Sequence, residues 1–192
     1  MSLSIGEKMK GFLFSPSATF DASKNDTVSD ALKFLILVLP IFPIALIFVI
    51  ATSPGEEISI KDLSSPFLVV FIFVIGGIFS VYSSGLWTHV WVYLLGGRAG
   101  AEQTLKAIIY SKTPIWVLGG VGFVVGAGVA SKNFDSFGME IAATWFLFVW
   151  IWAYITEIIG IRQLHGLSTI MAILATTIPI AILVIIGTCL NL

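Results

Sequence analysis

Residues 66–95 read PFLVVFIFVIGGIFSVYSSGLWTHVWVYLL, a run with no Asp, Glu, Lys or Arg and a single histidine, His89. The hydrocarbon core of a bilayer is about 30 Å thick and takes ~20 mostly apolar residues to cross as a helix. This run is longer than that. At ~1.5 Å per residue it would reach ~45 Å, so it must tilt, kink or emerge from the lipid. Gly76, Gly77 and Gly85 are the candidate bend points.

Four more runs of the same kind lie around it, at about 31–52, 108–130, 139–161 and 168–190. The expected fold class is therefore all-α: a polytopic membrane protein with a five-transmembrane-helix bundle over 31–192. A short cytoplasmic amphipathic N-terminal segment, 1–30, precedes it. Composition agrees. Hydrophobic residues make up 57% of the chain and charged residues 11%, with a mean hydropathy of +1.02, whereas a soluble domain carries roughly 25% charged residues. The net charge of −1 gives no reason to expect nucleic-acid binding. Cys189 is the single cysteine, so no internal disulfide and no Cys-x-x-Cys site can form, and it reads as a small apolar residue. Residues 1–30 lack the basic start, apolar stretch and cleavage site of a secretory signal, so the first span should be an uncleaved anchor.

Orientation follows from the basic residues. Lys8, Lys10, Lys24, Lys33, Arg98, Lys106, Lys112 and Arg162 fall on one side, against Lys61 and Lys132 on the other. The expectation is a multi-pass protein of the cell membrane, N-terminus cytoplasmic and C-terminus outside. Ile5, Met9, Phe12 and Leu13 can share a helical face lying on the inner leaflet. Ser15-Pro16 reads as a capped helix restart, with Phe20 pointing back to the membrane. Thr27 to Asp30 reads as a capping box opening the first span.

Small residues recur at four-residue spacing in two spans: Gly76, Ser80, Ser84 and Thr88 in the second, and Gly122, Gly126 and Ala130 in the third, with Gly119, Gly120 and Gly128 besides. Such faces let helices approach closely in lipid. They serve internal packing or a homo-oligomer. Pro114 removes the usual partner of the Tyr110 carbonyl. Trp150 and Trp152 sit deeper than an interfacial belt and read as packing or lipid contact.

Ionisable groups inside spans are costly and usually face protein or water. His89, Lys112 and Glu157 fall at about 8–12 Å from the cytoplasmic ends of their helices, with Tyr110 and Tyr154 in reach. They form a candidate polar layer, either self-neutralising, with Glu157 paired to Lys112 or His89, or lining a vestibule. Gly96 and Gly97 with Arg98, and Arg162 with His165, are candidate headgroup or partner contacts. The stretch from Gly96 to Gly100 is a tight turn that could also cradle a phosphate. Ser168 is placed to cap the fifth span. There is no Gly-x-Ser-x-Gly, no His-Glu-x-x-His and no ligand spacing, so no catalytic residue, metal site or cofactor is expected.

Taken in order, Phe14-Ser15-Pro16 with Thr19-Phe20, His89 with Gly96-Gly97, Tyr110 with Pro114, and Gly160 with His165-Gly166-Leu167-Ser168 and Ala172 resemble the Yip family of five-span, Rab-interacting-type membrane proteins, in a short prokaryotic-type form. The resemblance implies this topology and a protein without an evident enzymatic reaction; the eukaryotic relatives look like adaptors in vesicle traffic and membrane shaping, and the prokaryotic ones have no assigned reaction. GTPase binding by a long N-terminus does not carry over, because only about thirty residues precede the first span. The expected function is a membrane scaffold or adaptor organising lipids or partner proteins, with membrane lipids, a cytosolic protein and a second copy as partners. The alternative is a small transporter or channel using the His89/Lys112/Glu157 layer.

Overall fold

A computed structural model describes residues 3–52, 65–130 and 136–190. All secondary structure among them is helical: α1 (Ile5–Phe14), α2 (Pro16–Ala22), α3 (Val28–Val38), α4 (Ile41–Thr52), α5 (Pro66–Leu94), α6 (Ala101–Ser111), α7 (Thr113–Ala130), α8 (Ser136–His165) and α9 (Thr169–Cys189). Five stretches are long and apolar enough to cross a membrane: Val28–Val49, Pro66–Leu94, Ala101–Gly126, Glu140–His165 and Thr169–Cys189. The expected five-span, all-α architecture is therefore present. Lys61 and Lys132, used above for orientation, lie outside the described residues.

Two spans are broken. The first divides at Leu39 and Pro40 into α3 and α4, and the third divides at Lys112 into α6 and α7. Pro40, Pro43 and Pro114 cause this, since each lacks an N–H and crowds the preceding turn. Both breaks follow an initial half-helix of 11 residues. The freed Tyr110 carbonyl does not stay bare, because the Thr113 hydroxyl donates to it at 2.7 Å. By contrast α5 runs unbroken for 29 residues, so Gly76, Gly77 and Gly85 do not interrupt it.

The third span begins at Ala101, earlier than hydropathy placed it. Its first half, α6, carries Gln103, Thr104 and Lys106, which hid it from an apolar scan. These polar residues are tolerated because α6 is sheathed by protein: Thr104 through Tyr110 are all buried. Around α6 lies the core, drawn from Phe12 and Phe20 of α1 and α2, Phe34, Leu35 and Val38 of α3, Val81 and Val92 of α5, Ile161 of α8 and Ala172 of α9. The packed end of the bundle is the end at which α3, α6 and α9 begin, called here the basic end.

The N-terminal segment differs from the expected surface helix. Phe12 and Phe20 are fully buried rather than turned to lipid. Phe12 stacks on Tyr110 at 4.6 Å between ring centroids, and Phe20 packs edge-on against Phe12 at 4.9 Å. A Cβ at Gly160 would meet the tip of the Phe20 ring at 2.5 Å, so glycine makes the socket for that ring. Pro16 opens α2 as expected, but the Ser15 side chain makes no cap; its carbonyl instead accepts from the Thr19 hydroxyl at 2.8 Å. Trp152 is not a lipid-facing ring: its Nε1 donates to the Leu13 carbonyl at 3.0 Å and so closes the end of α1. Trp150 does face outward. The Thr27–Asp30 capping box forms, and Ser168 caps α9 through the Met171 amide.

The small-residue faces split. Gly119 and Gly120 take the approach of Ile41 and Phe42 in α4, and Gly122 takes the Trp145 indole of α8. Thr88 is buried, whereas Gly76 and Ser80 face outward with open space beside Gly76. Gly128 and Ala130 lie outside the residues whose surroundings are described.

Replacing Gly160 by leucine should expel Phe20 from its socket. Overpacking of this kind costs on the order of 1–3 kcal/mol. The expected result is a lowered Tm in detergent together with new protease cleavage within residues 1–25; unchanged Tm and protection would show that α2 does not dock on α8.

Candidate functional site

The residues expected of the polar layer enter four separate ties, and each has a reason in local structure. The first centres on Asp26, in the turn between α2 and α3. Its Oδ2 accepts from Lys8 Nζ at 2.6 Å and from the Tyr110 hydroxyl at 2.5 Å. Both partners of the ion pair are largely shielded, with side chains 7% and 9% exposed. Lys106 Nζ donates to the carbonyls of Lys24 and Asp26 at 2.9 and 2.7 Å, holding the same turn by its backbone. A carboxylate in low dielectric is tolerable only when paired and hydrogen-bonded. Lys8 and Tyr110 supply both conditions, and Phe12 covers the Tyr110 ring.

The second tie is Lys112 with Glu157, Nζ to Oε2 at 2.9 Å. Lys112 sits at the break in the third span, so the pair pins that break to the unbroken α8. The third tie is a relay of three side chains. The Thr104 hydroxyl lies 2.9 Å from His89 Nδ1 and 2.9 Å from His165 Nε2, joining α5, α6 and α8. His165 Nδ1 is buried without a hydrogen-bond partner among the described residues. A bare lone pair there costs less than a stranded N–H, so the economical arrangement has His165 Nε2–H donating to Thr104 and the Thr104 hydroxyl donating to His89. The fourth tie joins the Tyr154 hydroxyl to Thr177 at 2.5 Å, with Thr176 at 3.5 Å, between α8 and α9. Nearby, Trp87 Nε1 donates to the Pro179 carbonyl at 3.3 Å, fastening α5 to α9.

The five residues expected in one layer are thus distributed over four contacts. Lys112 and Glu157 meet as a pair. His89 does not reach Glu157 and turns to Thr104; Tyr110 turns to Asp26, and Tyr154 to α9. The reason is that each lies on a different face of its helix, which depth along the chain does not report. Gly96 and Gly97 form the turn closing α5. Gly96 and Gly100 hold φ of 98° and 91°, a region that favours glycine. A Cβ on Gly97 would stand 2.5 Å from Val92 Cγ1 and 3.1 Å from His165 Nδ1, so the bare backbone lets this turn press against His165. Arg98 stacks over the Tyr93 ring at 4.2 Å, and half-buried Arg162 belongs to none of the four ties. Among the described residues no group of His, Cys, Asp or Glu is placed to hold a metal ion.

Asp26, Lys8, Lys106, Thr104 and Trp152 carry this arrangement, and sequence reading did not single them out as partners. Lys8 and Lys106 counted only as topology-setting charges. No local pattern links Asp26 to Tyr110, 84 residues away.

A bundle of this kind, with five apolar spans and polar residues committed to helix contacts, defines an integral multi-pass membrane protein. The Yip1 domain family model matches residues 10–190, nearly the whole chain, and the protein belongs to that family. A search of curated proteins and one of solved structures each find no match.

Thr104→Val should remove the hydroxyl linking the two histidines while keeping its volume. Leaving buried polar atoms unsatisfied costs ~1–3 kcal/mol each. Thermal unfolding should show a clear drop for Thr104→Val and near-recovery for Thr104→Ser; equal stability of all three forms would mean that the relay ties nothing together.

Proposed function

We propose that this protein is a non-enzymatic scaffold or adaptor of the cell membrane, organising lipids or partner proteins, with its N-terminus in the cytoplasm and its C-terminus outside. The observation that carries the reading is the dispersal of the intramembrane polar groups. They are consumed as separate helix-to-helix ties rather than converging on one chamber. Groups spent in this way rigidify a bundle. Orientation rests on the bias of Lys and Arg to one side. Membership of the Yip1 domain family is in keeping with a membrane protein that is not an enzyme. The outward face of α1, with Ile5, Lys10 and Phe14, is the surface offered to lipid or to a cytosolic partner. The open flank of α5 at Gly76 and Ser80 is the surface offered to a second copy.

One observation favours the second reading, a small transporter: the third span is broken at the Lys112–Glu157 pair, and broken helices with polar groups mark many transport sites. Glu157→Gln separates the two. Breaking a buried pair by removing one charge costs on the order of 3–5 kcal/mol, less where a partner is partly exposed, as Lys112 is. For a scaffold, Glu157→Gln lowers Tm, and neither the parent nor the variant moves protons or solute in liposomes. Proton or solute flux in the parent that Glu157→Gln abolishes at unchanged Tm would replace the scaffold reading with a transporter.

A further inference from the structure

The depth of the Lys112–Glu157 pair can be read from its neighbours. The 21 residues of α9 reach ~31 Å, barely the thickness of the hydrocarbon core. Residues 166–168 alone join α9 to α8, so the membrane boundary at the basic end passes close to His165. Thr104 touches His165 and lies at the same level. Glu157 is eight residues inward from His165, and Lys112 eight inward from Thr104, ~12 Å in each case. The pair therefore sits near the middle of the bilayer. The headgroups are about two helical turns away, too far for the ammonium to snorkel to them.

At that depth the pair leaves hydrogen-bonding capacity over. Lys112 Nζ has three N–H donors and gives one to Glu157 Oε2 at 2.9 Å. Among the described residues no second acceptor meets it, and no donor meets Glu157 Oε1. Lys106 differs, since its ammonium donates to two carbonyls. Neither spare atom is sealed in, and the Lys112 side chain is 26% exposed. In hydrocarbon, such donors and acceptors call for a polar partner. On the same side of α8 as Glu157, seven residues or about two turns further on, Trp150 is 58% exposed. Exposed aromatic rings of this kind are enriched where proteins dock.

We infer that Lys112 and Glu157 are a recognition point for a transmembrane helix of another protein, one that carries an asparagine or glutamine at mid-span. A carboxamide presents a carbonyl to Lys112 and an N–H to Glu157 Oε1 at once, on separate atoms. It also keeps the contact neutral, whereas a carboxylate would add a third charge in lipid. Trp150 gives the incoming helix an apolar surface to pack against. A second copy of this chain does not fit the role. Its carboxamides are Asn25, Gln103, Asn133, Gln163 and Asn191, and none falls midway along the five spans. This inference rests on the adaptor reading and names the class of partner that the adaptor holds.

The probe is a lysine-flanked leucine–alanine helix with a donor dye at one end, dilute in phosphatidylcholine vesicles. The full chain carries an acceptor dye on Cys189, which is exposed. Three probes are compared: asparagine at the centre, asparagine two turns nearer an end, and no asparagine. An interhelical hydrogen bond in lipid is worth on the order of tenfold in association. Severalfold more energy transfer is expected for the central asparagine alone. Equal transfer from all three probes, or from asparagine at either depth, would overturn the proposal. The depth series is read on the unaltered binding surface and so decides independently of any variant. A Lys112→Met, Glu157→Leu double variant adds a second arm, because replacing both members of a buried pair by apolar residues is often neutral for stability. It should keep its Tm and lose the preference for central asparagine; a preference retained would show that the pair is not the recognition point. Either failure leaves the flux criterion for the scaffold untouched.

Discussion

Hydrocarbon offers no hydrogen-bond partner, and the architecture of this protein follows from that absence. A polar atom left bare at membrane depth costs several kcal/mol. Where proline frees the Tyr110 carbonyl, Thr113 supplies a hydroxyl three residues away. Where α1 ends inside the bundle, Trp152 reaches across from α8. Where the third span breaks, the charge on Lys112 is met by Glu157. These local solutions join elements distant in sequence, and together they hold the basic end of the bundle as one packed body.

Tyr110 shows how the constraint is met at the centre. Its ring lies among Phe12, Phe20 and Phe34, edge or face toward each. Its hydroxyl donates to the one carboxylate that Lys8 neutralises. Aromatic packing of this kind adds ~0.5–1.5 kcal/mol per pair beyond burial, so the socket is worth more than its apolar area. The same contacts draw α1 and α2 against the spans. An amphipathic segment that could have rested on the headgroups becomes part of the core.

Several features were legible in the sequence because they depend on neighbours a few residues away. The five spans announce themselves by length and apolarity. The Thr27–Asp30 box, the Ser168 cap and the Gly96 turn are encoded within four or five positions. The Lys112–Glu157 pair was within reach because two charges of opposite sign at matching depth in lipid have few other options. The order of motifs also sufficed to place the chain in its family. The break in the first span is also encoded locally, in Pro40 and Pro43, but the uniformly apolar run around them masks it from a hydropathy pattern.

The polar layer shows where sequence reading ends. Depth along a helix follows from residue count, at ~1.5 Å per step, so five polar residues could be put at similar heights. Azimuth, the direction each side chain takes around its helix, decides who meets whom, and it depends on how the helices are rotated and crossed. Only packing sets that. Composition and periodicity therefore determined that this chain lives in lipid as five helices with a basic end. The tertiary structure alone decided that His89 answers to Thr104, Tyr110 to Asp26 and Phe20 to Gly160, because those choices belong to the fit between helices.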